Sequence, residues 1–352
     1  MGKVLMKGNE AIAEAAIRSG CKLYFGYPIT PQNEICAYMS RQMPKENGLY
    51  LQAESEIAAI NMVLGAAGAG ARAMTSSSSP GISLKTEGIS YIAAGDLPCV
   101  IVNVQRGGPG LGTIQPAQAD YNQATKAAGH GDFRILVLSP STVQEMVDCT
   151  FEAFEKADEY RIPVLILTDG LLGQMMEPVE FPDRKIVQPA KEWAVTGHGN
   201  KRKPNIVNTL CLQADLLEKK IQERYKRYEL IEKKESKAES YLCDDAEVVI
   251  VAYGASSRIS RSAVDRARSE GVKAGLLKPL TLWPFPEKQI RESTKNAKHI
   301  LTVEMNMGQM VQDVKCAVEY KLPVSFYGRT GGVIPTPAEI YDEIIKLAGG
   351  KR

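Results

Sequence analysis

Three predominantly apolar runs most constrain the fold of this chain. They are residues 98–104 (PCVIVNV), 134–138 (RILVL) and 163–167 (PVLIL). A strand with one face in water alternates polar and apolar residues, whereas a strand covered on both faces is apolar throughout. Helical and strand patterns alternate through short connections over roughly the first half of the chain. The sequence therefore predicts an α/β fold in which a parallel sheet lies between helices.

A second α/β pattern follows later in the chain. Residues 247–252 (EVVIVA) predict a buried strand, residues 257–269 predict a helix, and residues 272–277 and 299–303 predict two more strands. A chain of 352 residues is long enough for two domains that each bury a core. We therefore expect two doubly wound parallel-sheet domains joined by a linker. Their predicted bounds are 1–185 for the first domain, 186–243 for the linker and 244–352 for the second domain.

The linker contains a charge-rich stretch. Residues 212–240 (LQADLLEKKIQERYKRYELIEKKESKAES) predict one long connecting helix that is largely solvated. Acidic and basic side chains are mixed along it, which is typical of a solvated helix and not of a nucleic-acid-binding surface. Its predicted packed stripe comprises Leu216, Leu217, Ile221, Tyr225, Tyr228 and Ile231.

Composition excludes several classes of protein. The formal net charge is +2 with both signs interspersed, so neither nucleic acid nor a membrane is predicted as the main partner. No apolar run approaches the roughly 18 residues of a membrane span, and the N-terminal stretch lacks the core of a signal peptide. The seven cysteines are dispersed without a C-x-x-C pair, so no metal or iron–sulfur site is predicted here. We expect a cytoplasmic protein with reduced thiols.

The segment at 26–31 (GYPITP) joins a predicted strand to a predicted helix. Thr30 stands where a helix N-cap belongs. Pro31 falls at the first helical position, where its fixed φ is favourable and its missing N–H is not needed. A helix N-terminus also attracts a carboxylate or a phosphate. The pattern therefore allows two interpretations, an ordinary capped connection or a site for an anion.

Four loops follow successive strands of the first predicted sheet. In open α/β sheets ligands bind outside the carboxyl ends of the strands, so these loops should line one crevice. The loops are residues 27–30, 53–56, 75–81 and 105–112. Their glycines do not form the G-x-G-x-x-G fingerprint of a dinucleotide site.

Two side chains in these loops are candidates for chemistry. Glu56 opens an apolar helix with few polar neighbours, so its carboxyl could share a proton with a ring nitrogen of a ligand. It could equally be an acid that only stabilises the helix N-terminus. Arg106 precedes a glycine-rich segment, and its planar guanidinium suits a bidentate carboxylate. A surface or ion-pairing role for Arg106 is the alternative.

Several motifs occur together in a recognisable order. YPITP at 27–31, ESEIAA at 54–59, SSPG at 78–81 and QRGGP at 105–109 resemble the alpha subunit of 2-oxoacid:ferredoxin oxidoreductases that depend on thiamine pyrophosphate. VAYG at 251–254, KPLTLWPFP at 278–286 and VEMNMGQ at 303–309 resemble the transketolase C-terminal domain of the same family. The resemblance covers nearly the whole chain. It implies a pyrimidine-binding module for thiamine pyrophosphate followed by a transketolase C-terminal-like domain.

The resemblance also implies roles for individual residues. Glu56 matches the catalytic acid that hydrogen-bonds the cofactor's pyrimidine ring, with Glu54 as the reserve. Thr30 and Arg106 match the positions that hold the substrate carboxylate. Further positions around the cofactor correspond to Tyr27, Pro28, Ser79 and Gly81. The chain departs from the family at Ser79, where a glycine is common.

Other components are expected on partner chains. The sequence lacks the Gly-Asp-Gly and downstream Asn with which the family holds magnesium and the diphosphate. The resemblance therefore implies a beta subunit that shares the thiamine pyrophosphate, with Mg2+ and [4Fe-4S] clusters on partner subunits. It further implies gamma and ferredoxin-like delta subunits, ferredoxin as the electron acceptor and CoA as the acyl acceptor.

The implied reaction is oxidative decarboxylation of a 2-oxoacid with CoA, yielding acyl-CoA, CO2 and reduced ferredoxin. Residues 31–34 and 115–121 most resemble the branched-chain (2-oxoisovalerate) subgroup. A 2-oxoglutarate enzyme is the first alternative. A non-oxidative transketolase-like subunit and a non-catalytic assembly subunit are further alternatives that the residues leave open.

Overall fold

The computed structural model describes residues 2–126, 128–183 and 186–349. Within these residues the chain forms fourteen strands and twelve α-helices. The strands are β1 (Val4–Lys7), β2 (Leu23–Gly26), β3 (Leu49–Gln52), β4 (Ala73–Ser77), β5 (Cys99–Gln105), β6 (Leu136–Leu138), β7 (Pro163–Asp169), β8 (Met176–Val179), β9 (Ala238–Tyr241), β10 (Val248–Val251), β11 (Ala274–Pro279), β12 (Thr281–Trp283), β13 (His299–Glu304) and β14 (Val324–Gly328). The helices are α1 (Gly8–Arg18), α2 (Asn33–Gln42), α3 (Glu56–Gly68), α4 (Pro80–Ala94), α5 (Tyr121–Thr125), α6 (Val143–Tyr160), α7 (Gly170–Gln174), α8 (Ala214–Glu235), α9 (Gly254–Ser269), α10 (Glu287–Ser293), α11 (Met310–Ala317) and α12 (Pro337–Leu347). A 3-10 helix at Met43–Glu46 follows α2.

Seven strands form the first sheet, in the order β12-β6-β7-β5-β4-β2-β3. The strands from β6 to β3 are parallel, and β12 pairs antiparallel with β6 at the edge. The three apolar runs of the sequence supply β5, β6 and β7, and every residue of these strands is buried. Helix α3 packs on β2 and β4, while α6 packs on β5 and β7. The predicted parallel sheet covered by helices is therefore confirmed.

The second sheet has the order β14-β13-β10-β11-β9. Its first four strands are parallel, and β9 pairs antiparallel with β11. Helices α9 and α12 pack against each other on this sheet. Strands β1 and β8 form a separate antiparallel pair. The predicted α/β class with two parallel-sheet units is confirmed, and each unit carries one antiparallel edge strand.

The predicted helix over residues 212–240 is too long. Helix α8 ends at Glu235, and residues 238–241 form β9 because the open edge of β11 offers them a hydrogen-bonding partner. The predicted packed stripe holds only in the second half of the helix. Tyr228 is buried with its ring edge-on to Trp283, the centroids 5.8 Å apart, whereas Leu216 and Leu217 are 41% and 39% exposed. No buried apolar surface lies opposite these two leucines in the core clusters of the described residues.

Gln118 joins the two sheets after β5. Its Nε2 donates to the carbonyl oxygen of Tyr253 at 2.8 Å, and its Oε1 accepts from Ser256 Oγ at 2.7 Å and from the Met305 backbone N–H at 3.1 Å. The side chain has no exposed surface. A buried amide whose donor and acceptor are both satisfied fixes position strongly. It therefore holds the segment after β5 against the ends of β10 and β13.

No helix in the described part of the chain is long and apolar enough to cross a membrane. All seven cysteines are free thiols. Burial raises the pKa of Cys21 and of Cys99 to about 12, so neither forms a reactive thiolate near neutral pH.

Candidate active site

The turn after β2 differs from its prediction. Thr30 is not the N-cap of α2, because the helix begins at Asn33 and Gln32 occupies the N-cap position. The Gln32 backbone N–H donates to the carbonyl oxygen of Ile29 at 3.1 Å, which closes a turn through Thr30 and Pro31 and delays the helix by two residues. The Thr30 hydroxyl instead accepts from Asn33 Nδ2 at 3.2 Å.

The structure brings Arg106 to this turn. Its Nη1 donates to the carbonyl oxygen of Thr30 at 2.9 Å, and its Nη2 donates to the carbonyl oxygen of Leu111 at 3.0 Å. Arg106 is 7% exposed, and its buried Nε has no hydrogen-bond partner among the described residues. The guanidinium is thus held from two sides while part of its donor capacity is unused.

Glu56 is the first residue of α3. The Ser55 side chain caps this helix by accepting from the Ala58 backbone N–H at 3.1 Å. Glu56 is 6% exposed, whereas Glu54 is exposed. No hydrogen bond from the described residues reaches the Glu56 carboxylate, so this acceptor is available to a ligand. Of the two acids, the structure encloses Glu56.

Gly81 lets the third loop approach Glu56. A Cβ at Gly81 would lie 2.1 Å from Ser77 Oγ and 2.7 Å from Glu56 Oε1. Any side chain at this position would therefore collide with both groups. The hydroxyls of Ser77 and Ser78 are buried beside it without hydrogen-bond partners among the described residues.

Ser79 connects the third loop to the fourth. Its Oγ lies 3.0 Å from the Arg106 backbone nitrogen and 3.2 Å from the Arg106 carbonyl oxygen. Its backbone adopts φ +24°, which is unfavourable for any residue with a Cβ. Tyr27 and Pro28 lie in the first loop. The Tyr27 carbonyl oxygen accepts from Gln32 Nε2 at 3.1 Å, and Pro28 is exposed.

Three contacts therefore link all four loops. Arg106 bonds Thr30, Ser79 bonds Arg106, and Gly81 packs on Glu56. This adjacency follows from the sheet order, because β3, β2, β4 and β5 are neighbours and the loops leave from the same ends. Hydroxyls, a guanidinium and an enclosed carboxylate come together at one sheet edge.

Sequence reasoning missed Lys85, a lysine with no exposed surface on α4. Its Nζ donates to Thr75 Oγ1 at 3.1 Å and to the backbone carbonyl oxygen of Glu56 at 3.3 Å. Burial lowers the pKa of Lys85 to about 8, against the opposing effect of the nearby Glu56 carboxylate. The sequence did contain a signal for the burial of Lys85, because Ile82, Lys85 and Ile89 have the spacing of one helix face and the two isoleucines make that face apolar.

Asn103 and Asp120 were also missed. Asn103 interrupts the apolar run of β5, and a polar residue within a buried strand indicates a specific hydrogen-bond partner. That partner is Asp120, whose Oδ2 accepts from Asn103 Nδ2 at 2.9 Å. Asp120 lies in an irregular segment, where no periodicity could place it.

The residues at this edge fit the pyrimidine end of thiamine pyrophosphate. A pyrimidine ring nitrogen needs a carboxyl group as its hydrogen-bond partner. Glu56 offers a carboxylate to which none of the described residues donates a hydrogen bond. The unpartnered hydroxyls of Ser77 and Ser78 are further buried groups that a ligand could satisfy. The described residues contain no group of three or more His, Cys, Asp or Glu side chains that could hold a metal ion.

This fold and this sheet edge are those of a thiamine-dependent α/β oxidoreductase. A family model described as pyruvate flavodoxin/ferredoxin oxidoreductase, thiamine diphosphate-binding, matches residues 14–240. A second, pyruvate:ferredoxin oxidoreductase core domain II, matches residues 246–340. The chain belongs to this family, the 2-oxoacid:ferredoxin oxidoreductases, as its motifs predicted.

Two curated subunits of this family are similar to the chain over nearly its whole length. The ketoisovalerate oxidoreductase subunit VorB of Methanothermobacter thermautotrophicus is 50% identical, with 99% of both chains covered. The 2-oxoglutarate synthase subunit KorA of that organism is 37% identical, covering 97% of this chain and 98% of KorA.

Two solved structures are also similar. The 2-oxoglutarate:ferredoxin oxidoreductase of Magnetococcus marinus, with 2-oxoglutarate, coenzyme A and succinyl-CoA bound, matches 99% of this chain with a TM-score of 0.89 and 27% identity. The chain spans 65% of the length of that relative. A split-gene transketolase, an inactive tetramer, matches 99% of both chains with a TM-score of 0.61 at 14% identity, which shows the fold alone.

Proposed function

We propose that this chain is the alpha subunit of a complex that oxidatively decarboxylates a branched-chain 2-oxoacid. The bond between the carboxylate and the keto carbon breaks to release CO2, the acyl group forms a thioester with CoA as the thiol proton leaves, and two electrons pass one at a time to ferredoxin. The observation that carries this proposal is the enclosed Glu56 carboxylate without a hydrogen-bond partner, at the sheet edge that also holds Thr30 and Arg106.

Glu56 is the proposed catalytic acid. Thiamine pyrophosphate, when bound, supplies a nucleophilic carbon and an electron sink for the carboxyl carbon–carbon bond. The Glu56 carboxylate would accept a hydrogen bond from a nitrogen of the pyrimidine ring and could hold a proton there, and only 6% of the residue is exposed to water. Gly81 keeps the neighbouring loop close to this carboxylate, and Tyr27, Pro28 and Ser79 belong to the loops around it.

Thr30 and Arg106 are the proposed substrate-binding pair. The Thr30 hydroxyl has a proton to donate, and the Arg106 guanidinium keeps unpaired N–H groups after its two carbonyl contacts. Both can bind one carboxylate oxygen each. Holding the substrate carboxylate in this way orients the bond that breaks.

The branched-chain substrate is supported by the degree of identity to relatives. The ketoisovalerate subunit shares 50% of its residues with this chain, against 37% for the 2-oxoglutarate subunit. A 2-oxoglutarate enzyme needs a second cation for the distal carboxylate. Lys85, a buried cation beside α3, already donates to Thr75 Oγ1 and to the Glu56 backbone carbonyl oxygen. This favours an apolar substrate side chain.

The remaining components are proposed on partner chains. A beta subunit would supply the diphosphate site, Mg2+ and [4Fe-4S] clusters, and gamma and delta subunits would complete electron transfer to ferredoxin. The dispersed free cysteines support a reducing, cytoplasmic location. We keep the division into residues 1–185, 186–243 and 244–352 as the proposed domain organisation.

Purification of the chain with its neighbouring gene products tests the proposal. The complex is given a panel of 2-oxoacids with CoA and a viologen acceptor, and we expect the highest kcat/KM with 2-oxoisovalerate. Preference for 2-oxoglutarate would reassign the substrate, and reduction by no 2-oxoacid would exclude the oxidoreductase. Glu56→Gln should abolish turnover in an intact complex, whereas the exposed Glu54→Gln should not. Full activity of Glu56→Gln would move the acid to Glu54.

A further inference from the structure

A closed ring of hydrogen bonds lies behind Arg106. The Arg106 backbone N–H donates to Ser79 Oγ at 3.0 Å, and the Ser79 hydroxyl donates to Asp120 Oδ2 at 2.6 Å. The same Asp120 oxygen accepts from Asn103 Nδ2 at 2.9 Å, and Asn103 Oδ1 accepts from the Ser79 backbone N–H at 3.1 Å. Asn103 Nδ2 must donate to a carboxylate and Asn103 Oδ1 must accept from a backbone N–H, so the orientation of the Asn103 amide is fixed.

Ser79 maintains this ring in an unfavourable backbone conformation. Its φ of +24° and ψ of −82° lie outside the regions that residues with a Cβ usually adopt. Glycine would reach this conformation with less strain but has no hydroxyl. A strained conformation persists only where surrounding contacts hold it, and such positions concentrate at functional sites. The Ser79 hydroxyl therefore supplies hydrogen bonds that a glycine at this position could not supply.

The ring acts on the segment that carries the guanidinium. Asn103 lies in β5, Ser79 occupies the N-cap position of α4 without a capping hydrogen bond from its side chain, and Asp120 occupies the N-cap position of α5. Residues from three separate elements therefore meet at the end of β5. The Arg106 backbone is fixed by Ser79, and its side chain reaches the Thr30 carbonyl oxygen. A shift of the Arg106 backbone would displace the guanidinium by a similar distance.

We propose that Ser79, Asn103 and Asp120 are positioning residues that hold Arg106 for the carboxylate of the substrate. This inference rests on the proposed substrate-binding role of Arg106. Asp120 needs no contact with substrate or cofactor for this role. Its carboxylate collects two donors at one oxygen, which is the geometry that joins Ser79 to Asn103. Burial raises the pKa of the Asp120 carboxyl, while its two hydrogen bonds oppose the rise.

The first test compares two replacements of Asp120 in the purified complex. Asp120→Leu keeps a similar shape but accepts no hydrogen bond, and Asp120→Asn keeps an accepting oxygen. Asp120→Leu removes both hydrogen bonds at Oδ2, and we expect it to raise KM for the 2-oxoacid about tenfold with a smaller change in kcat. Asp120→Asn should restore KM to near the wild-type value. If KM of a folded Asp120→Leu complex equals that of wild type, the proposal is wrong.

The second test separates the hydroxyl of Ser79 from its backbone strain. Ser79→Ala and Ser79→Gly both remove the hydroxyl, but only the glycine relieves φ. Both variants should raise KM if the hydroxyl positions Arg106. An increase confined to Ser79→Ala would assign the effect to strain and overturn the proposal. Ser40→Ala, at an exposed serine of α2 whose hydroxyl donates to the Ala37 carbonyl oxygen at 2.9 Å, is the control and should leave KM unchanged.

A measurement without turnover completes the test. Isovalerate has the branched carboxylate but no keto group, so it can bind without reacting. The rise in melting temperature of the complex with isovalerate should shrink in Ser79→Ala and in Asp120→Leu. Arg106→Gln distinguishes the two proposals. If it leaves KM and the isovalerate shift unchanged, the substrate-binding role of Arg106 fails. Arg106→Gln could change KM and the isovalerate shift while Ser79→Ala and Asp120→Leu change neither quantity. In that case only the positioning role fails.

Discussion

The Arg106 guanidinium donates to the carbonyl oxygen of Thr30 at 2.9 Å, across 76 residues of sequence. A second donor of the same group reaches Leu111 O in the following glycine-rich segment at 3.0 Å. One planar group thus ties two loops together before any ligand is present. The sequence predicted that these residues would lie close together at one sheet edge, but it did not predict a direct contact between the guanidinium and the Thr30 backbone.

Arg106→Lys should weaken substrate binding more than it destabilises the fold. A lysine ammonium is a single donor centre, so it cannot span Thr30 and Leu111 and still present a fork to a carboxylate. We expect KM for the 2-oxoacid to rise about tenfold, corresponding to ~1.4 kcal/mol. Steady-state kinetics of the complex measure this. An unchanged KM would show that charge alone suffices.

Gly81→Ala should displace the Glu56 carboxylate. The added Cβ would lie 2.7 Å from Glu56 Oε1 and 2.1 Å from Ser77 Oγ, so at least one group must move. A misplacement of about 1 Å at a reacting group costs about 100-fold in rate. We expect a fall in kcat of that order together with weaker cofactor retention, measured by turnover and by cofactor content after gel filtration.

Gly65→Ala provides the control for this experiment. Gly65 lies in the same helix as Glu56, and no atom lies within 4 Å of the position a Cβ would take. Alanine favours helix over glycine by about 0.5–1 kcal/mol, so this variant should unfold at a slightly higher temperature and keep its activity. Equal loss of activity in both variants would indicate a general disturbance of α3.

Lys85→Met should change the pH dependence of stability. Burial lowers the pKa of Lys85 from 10.5 to about 8, so the unfolded chain binds more protons than the folded chain between these values. The unfolding free energy of the wild type therefore rises with pH across that window, by up to about 3 kcal/mol from this group. The methionine variant lacks this rise. Denaturant unfolding at pH 7.5 and pH 10 tests it, and parallel pH profiles would contradict it.

Asp169→Asn should remove a fall in stability with rising pH, whereas Lys85→Met removes a rise. Burial raises the pKa of Asp169 to about 6, although its carboxylate accepts from the backbone N–H groups of Leu171 and Leu172. The folded chain binds more protons than the unfolded chain between the usual 3.8 and about 6. Wild-type stability therefore falls as pH rises through this window, by up to about 3 kcal/mol from this group. The asparagine variant keeps an acceptor and should not show that fall in a pH series of thermal unfolding.

The fold was predictable where one physical effect dominates. Strands β5 and β7 are buried along their whole length, and their apolar runs identify them without knowledge of any partner. The end of α8 was not predictable in this way. Residues 238–241 continue a helical charge pattern, and only the free edge of β11 makes them a strand.

The sequence predicted which loops lie together at the site, but not the contacts between their residues. The loops that carry Glu56 and Arg106 were predicted to lie together because strand order places them at one sheet edge. Thr30 lies against Arg106, as expected, but it was wrongly assigned as a helix cap, because a local turn displaced the helix start to Asn33. Asp120 carries no local signal, since its partners are distant in sequence and become visible only in three dimensions.

The pairing of β12 with β6 has a consequence for synthesis. Thr281 pairs with Leu138, so the edge of the first sheet is completed only by a strand from late in the chain. A ribosome must release residues up to Trp283 before this edge is protected. Until then the outer edge of β6, which pairs with β7 on its other side, has no strand partner, and an open edge of this kind can pair with another chain.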